Sequence, residues 1–212
     1  MLVGERMSKP VVTIPPEMPI TEALNLMKKE RIRRLPVVKK GKLAGIVSDK
    51  DLLNASPSPV TTLSIWEMNY LLSKITVAEV MSKNVMTVTE DTPIESAARI
   101  MADNKVGGLP VMRDSHVVGI ITETDLFKIF LELLGARETG VRVSVLLEDK
   151  RGKLADLTEA ISSRKGNFVA FGVFTGENPS NKIVTFKVQG LSLEEVKEAI
   201  TPVVAEILDI RS

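Results

Sequence analysis

The sequence contains no cysteine, one histidine, one tryptophan and one tyrosine in 212 residues, and aromatic residues make up only 4% of it. Without cysteine there is no disulfide framework, no thiolate nucleophile and no thiolate metal site. The single histidine, His116, excludes multi-histidine metal centres. It falls in a hairpin turn, Asp114-Ser115-His116, where nothing pairs with it. Neither sign of charge dominates: 28 Lys and Arg stand against 27 Asp and Glu, leaving +1. Such a chain has no field with which to hold a polyanion, so general nucleic-acid binding is disfavoured. No apolar run approaches the roughly 18 residues of a membrane span, and the opening Met1-Leu-Val-Gly-Glu-Arg6 has no apolar stretch of the signal-peptide kind. The chain therefore reads as cytoplasmic and without a membrane partner. Phosphate-binding glycine loops, dinucleotide fingerprints and serine-histidine arrangements are also missing. What remains is binding, or catalysis by carboxylates and hydroxyls.

What is present is an ordinary globular composition, 44% hydrophobic and 26% charged, at a length that predicts one or two domains. An internal repeat organises its first two thirds. Shifted by 74 residues, Val3–Leu53 aligns with Val77–Phe127 without a gap, and 18 of the 51 positions are identical. The matches include Met7-Ser8-Lys9 with Met81-Ser82-Lys83, Pro19-Ile20 with Pro93-Ile94, and Met27 with Met101. They continue through Leu35-Pro36-Val37 with Leu109-Pro110-Val111, Gly45-Ile46 with Gly119-Ile120, and Asp51-Leu52 with Asp125-Leu126.

Each unit reads β-α-β-β-α. A β-branched run (Val11–Ile14; Val85–Val88) precedes a proline suited to the first turn of a helix, and apolar residues then recur at helical spacing. Ile20, Ala23, Leu24 and Met27 share one face, as do Ile94, Ala97, Ala98 and Met101. Strands at Leu35–Val38 and Leu43–Val47 flank a Lys40-Gly41-Lys42 turn, and a helix opens at Ser48. About 50 residues is small for an independent core, so two units are expected to pack on each other with approximate two-fold symmetry. The repeated methionines read as core.

Between the units, Asn54–Pro59 is broken by prolines and reads as a loop. Leu63, Trp66, Tyr70 and Leu71 then form an apolar stripe at helical spacing, either a linker helix covering the module or a subunit interface. Gly135–Gly140 ends the helix through Phe127, Phe130, Leu131 and Leu134 and marks a domain boundary. Beyond it the pattern changes. Val141, Val143, Val145 and Leu147 alternate as a strand, Leu154, Leu157 and Ile161 outline a helix, and Phe168–Thr175 and Ile183–Val188 are strands. Ser192 and Glu195 cap a further helix, and Val204–Ile210 closes the chain as a strand. The order is βαββαβ, the split ferredoxin-like arrangement.

The chemistry concentrates in two matched heptapeptides, Gly45-Ile-Val-Ser-Asp-Lys-Asp51 and Gly119-Ile-Ile-Thr-Glu-Thr-Asp125. Ser48-x-x-Asp51 and Thr122-x-x-Asp125 fit helix N-caps with an acidic residue in the first turn. Capping does not explain Gly45 and Gly119, which let some group approach the backbone closely. A hydroxyl and free amides at a helix start favour phosphate, and a carboxylate accepts from two ribose hydroxyls. Together these make a nucleotide pocket.

Two tandem repeats with a threonine near the start, L-P-V in the middle and G-h-x-S/T-x-x-D at the end resemble a pair of cystathionine-β-synthase (CBS) domains, a Bateman module. The tail, with Asp149-Lys-Arg-Gly152 between its first strand and helix, resembles an ACT domain, and the whole order resembles the acetoin utilization accessory (AcuB-like) family. The resemblance implies an α+β fold: CBS repeats at 1–53 and 77–134, linkers at 54–76 and 135–140, and an ACT domain at 141–212. It implies AMP, ADP, ATP or S-adenosylmethionine in the cleft between repeats, with no required cofactor, metal or catalytic residue. Ser48 or Thr122 would meet the ribose-phosphate and Asp51 or Asp125 the ribose hydroxyls, near Gly45 and Gly119. Thr13, Val37, Thr87 and Val111 would border the base. In the tail, Gly152 is either a turn glycine or, with Asn167 of a partner chain, a place for an amino-acid carboxylate.

Charge separates the two repeats. Residues 1–53 carry 11 basic and 6 acidic side chains, whereas 77–127 carry 4 and 8. Arg31, Arg33 and Arg34 stand where the second repeat has Lys105, Gly107 and Gly108. Either these arginines form a solvated helix end, or their forks serve phosphate at one of the two clefts. The reading that results is a homodimeric, non-enzymatic regulatory protein that binds an adenosyl ligand and signals through its ACT domain to a partner enzyme. An amino-acid sensor with a dimerising repeat module is the alternative, and an enzyme using Asp51 or Asp125 as a base would lack a nucleophile.

Overall fold

A computed structural model describes residues 1–55, 70 and 73–212, and the chain divides into two compact units, Met1–Leu126 and Phe127–Ser212. In the first unit the two repeats fold alike. Repeat one has a turn of helix α1 (Val3–Arg6), helix α2 (Ile20–Glu30), the hairpin β1 (Arg34–Lys39) and β2 (Lys42–Ser48), and helix α3 (Asp49–Asn54). Repeat two has α4 (Val77–Val80), β3 (Val88–Thr89), α5 (Ile94–Asn104), β4 (Gly108–Arg113) and β5 (His116–Thr122), followed by α6 (Glu123–Leu133). The expected interrepeat stripe at Leu63, Trp66 and Leu71 lies outside the described residues.

The sequence pattern accounts for most of these elements. Ile20, Ala23 and Met27 are buried on α2, and Ala97 and Met101 on α5. Pro19 and Pro93 sit one residue before the expected first turn, as N-caps. Both helices stop on a non-glycine residue in left-handed conformation, Arg31 and Lys105, each with φ of 54°. Both hairpins carry a register shift at the same station, after Val37 and after Val111. The β-branched leader strands are shorter than the pattern suggests. Val88–Thr89 pairs in parallel with Val111–Met112, but in repeat one only Ile14 bridges to Val37. The reason is local: Pro15 and Pro16 follow Ile14 and have no amide to continue a ladder, whereas Thr89 and Glu90 stand at those positions in repeat two.

The cores do not follow the sequence boundaries of the repeats. Val3 and Met7 are buried with Val88, Ala97, Met101, Leu109, Val111 and Ile121 of repeat two. Val77 is buried with Ile14, Ile20, Met27, Leu35 and Val37 of repeat one, and Met81 packs against that cluster. Each repeat thus lends its leading segment to the other. Backbone pairs complete the exchange. Ser8 N–H donates to Ile120 O at 2.9 Å and Ile120 N–H to Ser8 O at 3.2 Å; Ser82 and Ile46 exchange the equivalent bonds at 2.9 and 3.0 Å.

In the second unit, β6 (Val141–Glu148), α7 (Lys153–Ser162), β7 (Asn167–Thr175), β8 (Asn181–Gln189), α8 (Leu193–Ile200) and β9 (Glu206–Arg211) follow in βαββαβ order. The sheet order is β7-β8-β6-β9, antiparallel throughout, so β8 is inserted between the two strands joined by α7. Val143, Val145, Phe186 and Val188 from the sheet bury Leu157, Ile161, Val196 and Ile200 of the helices. Phe186 lies 5.4 Å from Phe168 and 6.2 Å from Phe171, ring centre to ring centre. The Ser192–Glu195 capping box forms as the sequence indicates, with the Ser192 amide donating to Glu195 Oε2 at 2.7 Å.

The division between units falls inside α6, earlier than the 135–140 break. Gly135, with φ of 57°, does follow the helix end. But Lys187 Nζ donates to Gly135 O and Glu138 O, each at 2.8 Å, and Gln189 Nε2 to Thr139 O at 2.9 Å. These bonds tie the glycine-bracketed segment to β8 instead of leaving it a free linker.

The segment exchange makes a quantitative prediction. Met7→Ala should cost about 2–5 kcal/mol in chemical denaturation, the range for a buried methionine. Gly119→Ala, whose methyl would fall on the Met7 sulfur, should cost about 1–3 kcal/mol alone. In the double variant the glycine effect should shrink, because the colliding side chain is gone. Additive losses would show that the two residues do not meet.

Candidate functional site: the cleft beside Ser48 and Asp51

The strand-to-helix junctions hold the matched hydroxyl and carboxylate pairs. Ser48 closes β2 and caps α3: its Oγ accepts from the Asp51 amide at 3.3 Å and donates to Asp51 Oδ2 at 2.7 Å, while the Ser48 amide donates to the same oxygen at 2.8 Å. In repeat two the Thr122 amide and Oγ1 donate to Asp125 Oδ2 at 3.0 and 2.7 Å. Both pairs are therefore helix caps, and the chemistry that recommends them for a ligand is first used on the backbone.

The pairs differ in access. Asp125 is only 6% exposed, whereas Asp51 is half-buried and lines an open cleft of about 490 Å³. The cleft is built crosswise. Repeat one contributes Arg34, Ile46, Ser48, Lys50, Asp51 and Asn54; repeat two contributes Ser82, Asn84, Met86, Lys105, Gly107 and Gly108. The Ile46–Ser82 bridge explains the assembly, because it leads the chain from Ser82 through Met86 along the cleft beside the end of β2. Arg34, Lys50 and Lys105 make its lining net basic. Arg34 reaches across to the second repeat, lying against Gly107 and Gly108 and 3.7 Å from Glu123 Oε2.

The structure brings Arg34, Ser48 and Asp51 together and places the other candidates elsewhere. Val37 and Val111 are fully buried in the two cores, because each lies in a strand paired on both sides, and so neither borders the cleft. Thr13, Arg33 and Thr87 are exposed and outside the cleft lining. Gly45 and Gly119 admit close approach, but of the chain itself. A Cβ at Gly45 would lie 2.5 Å from Met81 Sδ and 2.9 Å from Ser82 O, and one at Gly119 would strike Met7 Sδ. In the second unit Gly152 has φ of 88° with open space beside it, and Asn167 begins β7, exposed and paired with Gln189. The cleft residues missed by sequence are Ser82, Asn84, Met86 and Lys105; the one signal for them was the matched Met-Ser-Lys stations.

Two windows of the chain, residues 3–58 and 77–132, match the CBS domain family. The chain belongs to the CBS-domain family. A CBS domain-containing protein of Dictyostelium discoideum is 33% identical over 136 residues, 63% of this chain and 94% of that protein. The crystal structure of the CBS domain pair of protein MJ0100, in complex with 5′-methylthioadenosine and S-adenosyl-L-methionine, superposes with a TM-score of 0.52 at 33% identity, over 65% of this chain and 98% of that one. A Vibrio cholerae protein assigned to acetoin utilization (AcuB) gives 0.54 at 31% identity, over 66% and 98%. CBSX2 in complex with AMP gives 0.52 at 29%, over 62% and 97%. Enzymes that carry CBS domains also match. Of L-aspartate semialdehyde sulfurtransferase from Methanocaldococcus jannaschii, 34% identical over 131 residues, the chain covers 23%. Among the described residues no helix of this CBS protein is long and apolar enough to cross a membrane.

The cap geometry predicts that Ser48→Ala costs about 1 kcal/mol of stability through the lost N-cap, readable by denaturant titration without any ligand. Stability equal to wild type would show that the hydroxyl is held for a ligand alone.

Proposed function

We propose that this protein is a non-enzymatic sensor of adenosyl compounds, which bind in the cleft beside Ser48 and Asp51. The observation that carries the reading is the convergence, in one basic cleft of about 490 Å³, of a capped helix start, a half-buried carboxylate and an arginine from a neighbouring strand. That volume suits a nucleoside-sized molecule. Asp51 presents Oδ1, which accepts no hydrogen bond among the described residues, to ribose hydroxyls. Arg34 and Lys105 meet a phosphate. The ligands of the CBS pairs of MJ0100 and CBSX2, an adenosyl sulfonium, a thioadenosine and AMP, support the same chemical class here. Asp125, Thr122 and Gly119 would make the less accessible counterpart.

In this proposal the second unit is an ACT domain that relays the ligand state to a partner. Its split βαββαβ order and β7-β8-β6-β9 sheet support that assignment. The φ of 88° at Gly152 by itself favours glycine, so this residue adds no argument for an amino-acid site. Self-association as a homodimer is supported by Phe127, Phe130 and Leu131, which expose an apolar stripe on α6.

Thermal unfolding of the full chain with adenosine, AMP, 5′-methylthioadenosine and S-adenosylmethionine tests the reading. A ligand at 100 times its dissociation constant adds about 2.7 kcal/mol. The expected result is a shift with at least one of them that disappears in Asp51→Ala, measured as the difference with and without ligand so that the loss of the cap cancels. No shift with any adenosyl compound, or an equal shift in Asp51→Ala, would remove this cleft as the site.

A further inference from the structure

We infer that Glu123 sets the charge preference of the Ser48–Asp51 cleft by competing with the bound ligand for Arg34. This deepens the proposed adenosyl reading and rests on it. Arg34 is the last residue before the buried Leu35-Pro36-Val37 run, and its side chain is 25% exposed. It lines the cleft with Ser48 and Asp51, yet its Nη2 lies 3.7 Å from Glu123 Oε2 in the first turn of α6. One guanidinium therefore has two claimants, a carboxylate of repeat two and whatever anion enters the cleft.

The second repeat is shaped to admit that guanidinium. A Cβ at Gly107 would collide with Arg34 Nη2 and Cζ and lie 2.6 Å from Glu123 Oε2; one at Gly108 would lie 3.2 Å from Arg34 Cδ. Gly107 and Gly108 occupy the stations held by Arg33 and Arg34 in the first repeat. One repeat carries the cations, and the other has no side chains at those places and supplies the carboxylate instead.

The pair is poised to exchange. At 3.7 Å, beyond hydrogen-bond distance, with Glu123 59% exposed, it is a weak and salt-screened contact. A phosphate offers the guanidinium two oxygens at hydrogen-bond distance and replaces Glu123. An anionic ligand must displace the carboxylate, a neutral nucleoside leaves the pair in place, and a cationic sulfonium gains from the negative charge beside it. Glu123 thus biases the cleft away from anions and toward neutral or positive adenosyl compounds.

Calorimetric dissociation constants of the full chain for AMP, adenosine and S-adenosylmethionine test this. Glu123→Gln should tighten AMP roughly two- to five-fold, the range of an exposed ion pair, leave adenosine unchanged and weaken S-adenosylmethionine. In an Arg34→Gln background the same substitution should no longer change AMP affinity. The inference falls if Glu123→Gln leaves the AMP-to-adenosine ratio at its wild-type value, or if it tightens AMP equally without Arg34. Should wild type bind none of the three, the adenosyl reading falls with it; binding that depends on Asp51 but ignores Glu123 overturns only this inference.

Discussion

The structure of the first unit depends on a reciprocal loan of chain. A repeat of about 50 residues is too small to bury a core of its own, and each repeat completes its core with the leading segment of the other. Val3 and Met7 fill repeat two, and Val77 and Met81 fill repeat one. The loan demands two glycines, because the methionine side chains lie where Cβ atoms of residues 45 and 119 would stand. It also places the cleft. Once Ser82 is paired with Ile46, residues 84–86 run beside the Ser48 cap, and the walls of the pocket come from both repeats. Neither repeat could hold the site alone.

Duplication preserved the backbone and released the charge. The left-handed residues Arg31 and Lys105 that end the helices, the hairpin shifts after Val37 and Val111, and the Ser48–Asp51 and Thr122–Asp125 hydrogen bonds recur at matched stations of the two repeats. On this frame Arg34 lies against Gly107 and Gly108 of the second repeat, and Asp51 and Asp125 differ in burial. Symmetry of fold thus coexists with inequivalent sites, which is what allows one of them to become a basic cleft.

Much of this was legible in the sequence, and the reasons for the rest are physical. Period and punctuation revealed α2, α5, both hairpins and the βαββαβ tail, because those signals are local. The caps at Ser48 and Ser192 were legible for the same reason. At Gly45 and Gly119 the group in close approach is the chain itself, a methionine side chain in each case. A glycine records that something is near but not what, and here it is a methionine 36 residues downstream or 112 upstream. The resemblance puts Val37 and Val111 near a base; in the structure their strands are paired on both sides and both side chains are buried. Ser82, Asn84 and Met86 were missed because their place is set by a tertiary pairing that no window within one repeat contains.

Helix α6 carries the chain out of the first unit and also supplies the carboxylate that faces Arg34. The chain crosses from one unit to the other once, between Leu126 and Phe127, so the covalent path between them runs through this helix. Its first turn carries Glu123 and the Asp125 cap, and its far end passes into a segment that Lys187 holds to β8. A ligand moves such an element only by its differential affinity for the two positions. Within the first unit the Arg34–Glu123 pair joins the cleft wall to the first turn of α6, and with Glu123 59% exposed it is a weak contact. A bidentate pair would be harder to break, so a contact at 3.7 Å leaves Arg34 open to an anion that offers two oxygens at hydrogen-bond distance.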